Sequence, residues 1–177
     1  MESAFRVIGR RTVADTGFVR LDRLHLAAPD GAIVRVSVEH PGAVAVVPLD
    51  GSDVVLIRQY RAAISAALLE IPAGKLDGAG ESWHAAATRE LVEEVGLEAG
   101  NLDHLMTIHT SPGFANERIA IFRATELRAV PSRPVGAEEQ AAEVVTMSFD
   151  AALDAVAAGE ITDAKTIIGL FAAREAS

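Results

Sequence analysis

Three glutamates in one short segment have the side-chain type and the spacing to do chemistry. Glu90, Glu93 and Glu94 stand at positions i, i+3 and i+4, so in a helix they project from one side. Like charges at this spacing destabilise a helix by roughly a few tenths of a kcal/mol per pair. The segment is therefore either the solvated face of an amphipathic helix or a set of carboxylates for a hard divalent cation such as Mg²⁺.

The residues around the glutamates predict how they are positioned. The glycine-rich stretch Gly74–Glu81 precedes them and supplies a loop with free carbonyl groups. A helix is expected to follow from Ser82 and to end at Gly96, because glycine readily adopts the left-handed backbone conformation that often ends a helix. The side of this helix opposite the glutamates carries mainly apolar residues that would pack on a core: Ala85, Ala87, Thr88, Leu91, Val92 and Val95.

Composition limits the classes of function. The 177 residues suit one domain with an added subdomain, and the net charge of −9 argues against nucleic acid or an anionic membrane as partner. The chain has no cysteine, which excludes disulfides and thiolate chemistry. We expect a cytoplasmic protein, since no apolar run reaches membrane-spanning length and residues 1–6 do not resemble a signal peptide.

Hydrophobic periodicity predicts most of the remaining elements. Residues 5–40 alternate in the manner of strands and predict a small antiparallel sheet. Residues 130–140 are expected to form a loop, because they contain two prolines and a glycine. Asp150 is expected to cap a helix that ends at Gly159, and a second helix should run from residue 162 or 163 to 174. Further strands are predicted at residues 42–49, 54–61, 105–109, 118–124 and 144–149.

The glutamate segment resembles the signature of a known family. The segment 81–97 is similar to the signature box of the Nudix hydrolases. The matching positions are Glu81, then after seven residues Arg89-Glu90-Leu91, then after one residue Glu93-Glu94, and after one more residue Gly96-Leu97. One departure is an extra residue between Gly74 and Glu81, which falls in the turn 78–80 and affects the path of that loop. The segments 58–61, 69–77 and 111–117 resemble the ADP-ribose pyrophosphatase branch specifically.

The resemblance implies a fold and an assembly. The expected fold class is α/β, a Nudix-type α/β/α sandwich with a mixed sheet, preceded by a small N-terminal antiparallel β-sheet subdomain. Residues 1–40 would form that subdomain and residues 41–177 the hydrolase domain. In this branch the N-terminal sheet is exchanged between the subunits of a homodimer; a β-rich cap on a monomer is the alternative.

The resemblance also implies roles for individual residues. Glu90 and Glu94 would be direct metal ligands, Arg89 would orient the acidic cluster, and a glutamate at 130–140 would be the catalytic base. Glu138 is favoured as that base by its distance from the following strand, with Glu139 close behind. Further metal ligands or supports would be Glu81, Glu93 and the carbonyl of Ala73. Residues implied in substrate binding are Arg61, Glu70, Ser111, Gly113, Glu117 and Phe18, the last of which could instead belong to the core.

The reaction implied is the Mg²⁺-dependent hydrolysis of ADP-ribose to AMP and ribose 5-phosphate. Mn²⁺ or another divalent cation is the alternative metal, and NADH, FAD or another nucleoside diphosphate sugar is the alternative substrate. A non-catalytic ADP-ribose sensor is the rival from another class. The intact glutamates and the lack of an appended basic DNA-binding segment argue against the sensor, and a purely structural dimerisation domain would leave the ordered glutamates unexplained.

Overall fold

The computed structural model describes residues 4–78 and 80–176, and these fall into two compact units. The first unit joins the N-terminal residues up to Gly42 to the segment His109–Arg118, and the second holds the remainder. That grouping of residues 109–118 with the N-terminal segment was not predicted. Met1–Ser3 of the predicted subdomain lie outside the described residues, as does Ala79 in the turn that carries the extra loop residue.

The first unit contains the predicted small antiparallel sheet. Its strands are β1 (Arg6–Asp15), β2 (Arg20–Ala28) and β3 (Gly31–Glu39), in the order β1-β2-β3. Strands β2 and β3 form a hairpin with Ala28 opposite Gly31 at the turn and Arg20 opposite Glu39 at the far end. The period-two pattern of residues 5–40 thus identified the strands and their antiparallel arrangement correctly.

The second unit is built on a seven-stranded mixed sheet. Its strands are β4 (Ala43–Asp50), β5 (Asp53–Arg61), β6 (Ala66–Glu70), β7 (Ala73–Lys75), β8 (Leu97–His109), β9 (Arg118–Ala129) and β10 (Glu143–Ser148). The path β10-β5-β4-β9-β8 forms most of the sheet, with β6 beside β5 and β7 beside β4. Strands β4 and β9 are parallel, whereas β5–β6, β4–β7 and β5–β10 are antiparallel.

The helices correct two details of the sequence interpretation. They are α1 (Trp83–Val95), α2 (Ala137–Gln140), α3 (Phe149–Ala157) and α4 (Ala164–Glu175). Ser148, not Asp150, caps α3, because its hydroxyl accepts the Ala151 N–H while Asp150 lies in the first turn. Residues 130–140 are not wholly a loop, since their last four residues form α2. None of the helices among the described residues combines the length and the apolar character needed to cross a membrane.

Strand β4 is buried on both faces and so defines the layers of the second unit. Alternate residues of β4 contribute to two separate core clusters, with Val47 in one and Val46 in the other. Helices α3 and α4 pack on the first cluster through Ala152 and Leu170, and α1 packs on the second through Leu91. Helices therefore cover both faces of a mixed sheet, which confirms the predicted α/β/α sandwich.

Candidate active site

Local signals fix the position of the helix that carries the glutamates. The Ser82 hydroxyl accepts a hydrogen bond of 3.1 Å from the Ala85 N–H and begins α1. At the other end Gly96 adopts the left-handed conformation, with φ 64°, and its N–H reaches the carbonyls of Leu91 and Val92. Leu91 is buried against the sheet and fixes the packing of the helix on it.

Arg89 is the centre of the acidic cluster. Its Nε and Nη2 donate to the two carboxylate oxygens of Glu81 at 3.0 and 3.1 Å. Its Nη1 donates to Glu90 at 2.6 Å and to Glu93 at 2.9 Å. The Nη2 group also donates to the carbonyl of Lys75 at 3.0 Å, which ties the glycine-rich loop to the helix. Pairing with Arg89 holds the pKa of Glu81 below its usual value.

Glu90 is buried and lies directly against the backbone of Gly74. It is 5% exposed, and a Cβ placed on Gly74 would stand 1.9 Å from its Oε1. Burial raises the pKa of Glu90 to about 7, although its hydrogen bond to Arg89 opposes that shift. Only glycine at position 74 leaves room for the carboxylate where it stands.

Glu94 is held by the backbone of Ala73, the residue before this glycine. Its Oε2 accepts the Ala73 N–H at 2.8 Å. Burial raises the pKa of Glu94 to about 8, because the single backbone hydrogen bond does not replace the lost water. Ala73 and Gly74 thus place the two most strongly perturbed carboxyl groups of α1 next to β7.

The donor set fits a hard divalent cation. Three glutamates, namely Glu81, Glu90 and Glu93, share one arginine, and Glu94 has only a backbone N–H, so the cluster carries an excess of negative charge when all four are ionised. Carboxylate oxygens are the ligands that Mg²⁺ and Mn²⁺ prefer. Within residues 4–78 and 80–176, however, no three acidic or histidine side chains already stand together as a group that could hold a metal. The reason lies in the contacts above: Arg89 takes up three of the carboxylates, and the fourth faces the Ala73 N–H.

Arg61 and Glu70 form a second charged arrangement in the same unit. The Nε and Nη2 of Arg61 donate to the two oxygens of Glu70 at 2.8 and 2.6 Å, a bidentate pair. Glu70 is 1% exposed, whereas 39% of the Arg61 side chain is exposed. The Glu70 carboxylate is therefore not accessible to a substrate, whereas the exposed part of the Arg61 side chain is accessible.

The two candidate bases lie on α2, not on a loop. Glu138 is exposed, while the Oε2 of Glu139 accepts the Val135 N–H at 2.6 Å. The negative charge of Glu139 contributes to the raised pKa of both Glu90 and Glu94. That contribution favours Glu139, whereas counting along the sequence favoured Glu138.

The remaining predicted substrate residues belong to the first unit. Phe18 is 50% exposed and meets His40 edge to face at 5.1 Å, so the alternative of a core role for Phe18 is wrong. Glu117 accepts the Thr110 hydroxyl and lies 3.5 Å from the Nε2 of His40. The carbonyl of Ser111 accepts two backbone N–H groups of the turn that contains Gly113.

Sequence reasoning missed the residues that hold this turn. The Asn116 side chain donates to Glu39 at 2.9 Å and accepts the His40 N–H at 2.7 Å. Its partners lie 76 and 77 residues away, so no local pattern could have identified it. Asp163, the N-cap of α4, and Lys165 in its first turn were also missed, because the sequence pattern there predicts only a helix.

Comparison with known proteins gives the family. The model of the NUDIX domain matches residues 39–167. An ADP-ribose pyrophosphatase of Mycobacterium tuberculosis is 39% identical over 176 residues, covering 97% of this chain and 84% of that protein. An ADP-ribose pyrophosphatase of Bacillus subtilis is 39% identical over 140 residues, covering 78% and 75%. A crystal structure of an ADP compounds hydrolase aligns with a TM-score of 0.83 and 26% identity, covering 98% of this chain and 94% of that one. With the acidic helix and the sandwich fold, these matches establish that the chain belongs to the NUDIX family, whose members generally use divalent cations.

Proposed function

We propose that this protein hydrolyses the pyrophosphate bond of ADP-ribose to give AMP and ribose 5-phosphate, with Mg²⁺ as the metal. The observation that carries the proposal is the acidic cluster of α1, where Glu90 is buried, Glu94 is partly buried, and loss of water raises the pKa of both carboxyl groups. A helix that serves only to pack has no reason to bury two carboxylates in this way. The names of the two bacterial relatives support ADP-ribose as the substrate.

Each residue of the cluster has a distinct part in this proposal. A bound divalent cation supplies neutralisation of the diphosphate and a more acidic water molecule. Glu90 and Glu94, with the carbonyl of Ala73, are the groups that would hold it. Arg89 fixes Glu81 and Glu93 through the contacts described above. These two carboxylates would therefore keep their positions when Glu90 and Glu94 exchange their present hydrogen-bond donors for the cation.

Glu139 is the proposed base. General base catalysis needs a carboxylate that can approach the attacking water from outside the ligand set. Glu139 is near enough to Glu90 and Glu94 to affect their pKa values and lies on a separate element, α2. Its hydrogen bond from the Val135 N–H orients the carboxyl group.

In the second unit, substrate recognition is assigned to Arg61. The exposed edge of the Arg61 guanidinium suits contact with a phosphate or ribose oxygen. We keep Ser111, Gly113 and Glu117 as candidates for substrate recognition and Phe18 for stacking on the adenine.

We also propose a homodimer, supported by the exposed apolar side chains Val7, Ile8 and Val13 of β1. The proposed compartment is the cytoplasm, which agrees with a chain that has no cysteine.

The test is product release from ADP-ribose with Mg²⁺ and with EDTA, beside NADH, ADP-glucose and an oxidised nucleoside triphosphate. We expect metal-dependent AMP from ADP-ribose at a higher kcat/KM than from the other three compounds. Faster turnover of another substrate would keep the reaction and reject ADP-ribose. Tight binding of ADP-ribose without turnover of any compound would instead identify a sensor.

A further inference from the structure

The first turn of α4 places a buried lysine on the carboxylate that holds Arg61. The Nζ of Lys165 donates to the Oε2 of Glu70, the same oxygen that accepts the Nη2 of Arg61. Lys165 is only 11% exposed, and its Nζ also lies 3.0 Å from Asp163. Lys165 and Glu70 are 95 residues apart in the chain, so the fold alone brings them together.

This contact is built into the start of the helix. Asp163 caps α4 by accepting the Thr166 N–H at 2.9 Å, and it also accepts the Thr166 hydroxyl at 2.6 Å. The same hydroxyl oxygen accepts the N–H of Ile71, the residue after Glu70, at 2.9 Å. Gly169 lets α4 approach the sheet closely, because a Cβ there would stand 3.0 Å from the Ile71 side chain. The helix start is thus attached to the end of β6 at two adjacent residues.

The charges explain why a second cation is needed. A carboxylate as buried as Glu70 must be compensated, and burial alone would raise its pKa; Arg61 and Lys165 together hold the pKa of Glu70 below its usual value. If Arg61 were the sole partner, the bidentate pair would be neutral and its field toward an approaching diphosphate would be weak. With Lys165 present, its ammonium group neutralises part of the negative charge of Glu70, so Arg61 neutralises less of it. The charge of Asp163 is directed at the N-terminus of α4, where the helix dipole stabilises it.

We propose that Lys165 is a positioning residue that compensates Glu70 so that Arg61 keeps its positive charge available to the diphosphate of the substrate. The inference rests on the proposed function, in which Arg61 contacts the substrate. Lys165 itself touches no substrate and acts through the Glu70–Arg61 pair. Its removal therefore weakens substrate binding and leaves the chemical step at α1 nearly intact.

The first measurement is steady-state hydrolysis of ADP-ribose by Lys165→Met. We expect KM to rise about tenfold, equivalent to about 1.4 kcal/mol, with kcat within about threefold of wild type. Lys165→Arg restores the cation and should return KM to within about threefold of wild type. Arg128→Met is the matched control, because it removes one positive charge from an exposed side chain paired with Glu98 and should leave KM unchanged.

A double-mutant cycle separates action through Glu70 from direct contact with the substrate. In the Glu70→Gln background there is no buried charge to compensate, so adding Lys165→Met should not raise KM further. This double variant also avoids a buried carboxylate that has lost one of its two cations, which keeps the test valid if the Lys165→Met protein folds poorly. An equal rise of KM in both backgrounds would overturn the inference, as would an unchanged KM in the single variant.

A titration independent of activity distinguishes the failure of this inference from the failure of the proposed function. The carboxyl ¹³C resonance of Glu70, assigned by its loss in Glu70→Gln, reports the pKa of Glu70 directly. We expect Lys165→Met to raise that pKa relative to wild type, whether or not ADP-ribose is the substrate. An unchanged pKa would overturn the compensation by Lys165, whereas a raised pKa in a protein that leaves ADP-ribose intact would reject only the substrate.

Discussion

Replacing Gly74 with alanine tests whether the position of Glu90 matters for activity. The new Cβ would stand 1.9 Å from the Oε1 of Glu90 and 2.0 Å from its Cδ, whereas ordinary contacts begin at about 3.4 Å. The carboxyl group must therefore move by about 1.5 Å. The backbone of Gly74 has no positive φ, so alanine fits the strand and the displacement falls on the Glu90 side chain.

The size of the effect follows from this displacement. A misplacement of about 1 Å in a catalytic arrangement lowers the rate by about a hundredfold, or about 2.7 kcal/mol in the barrier. We therefore expect Gly74→Ala to lower kcat for ADP-ribose by at least about a hundredfold. The unfolding temperature should change by only a few degrees, because alanine also restricts the unfolded chain, which offsets part of the local cost.

The assay is AMP release in saturating Mg²⁺, with thermal unfolding measured on the same preparations. Gly9→Ala is the matched control, since its Cβ would meet His25 at an ordinary 3.6 Å and activity should be unchanged. Gly74→Ala combined with Glu90→Gln should be no less active than the worse of the two single variants, because both act through one carboxylate. Wild-type kcat in Gly74→Ala, or multiplication of the two effects, would refute the reasoning.

Three further predictions concern the same acidic groups. Glu94→Gln should abolish nearly all turnover while the protein keeps its fold, as measured by circular dichroism; normal activity would reject Glu94 as a metal ligand. In EDTA the free energy of unfolding should fall as the pH rises from about 4.5 to about 8. The pKa values of Glu90 and Glu94 are raised in the folded state, so over this interval the folded state binds more protons than the unfolded state. Urea unfolding at pH 5, 6.5 and 8 checks this, and a Glu90→Gln/Glu94→Gln double variant should show a smaller decline; an equal decline would assign it to other groups. Glu139→Gln should lower kcat far more than Glu138→Gln, and the reverse order in a kinetic comparison would return the base to Glu138.

Local sequence signals predicted the part of the site that lies on one element. Ser82, the three glutamates and Gly96 all act within α1, so spacing along the chain was sufficient to locate the helix and its acidic side. The signature also gave Arg89 as the partner of these acids, and its bonds to Glu81, Glu90 and Glu93 follow that expectation.

The rest depends on contacts between distant segments. The preference for Glu139 over Glu138 depends on α2, a single helical turn that follows a segment with two prolines and a glycine, a composition typical of a loop. In the sequence, Lys165 is only one polar residue of a predicted helix. Its contact with Glu70 becomes visible only in the folded structure. The contact of Lys165 with Glu70 follows from the way α4 packs on the sheet, and the periodicity of a single segment contains no information about that packing.

The most direct test of the account compares AMP release from ADP-ribose by wild type and by Glu94→Gln, each with Mg²⁺ and with EDTA. If the carboxylates of α1 hold a divalent cation for pyrophosphate hydrolysis, only wild type with Mg²⁺ should release AMP at an appreciable rate. Equal AMP release by Glu94→Gln in Mg²⁺, or by wild type in EDTA, would contradict it.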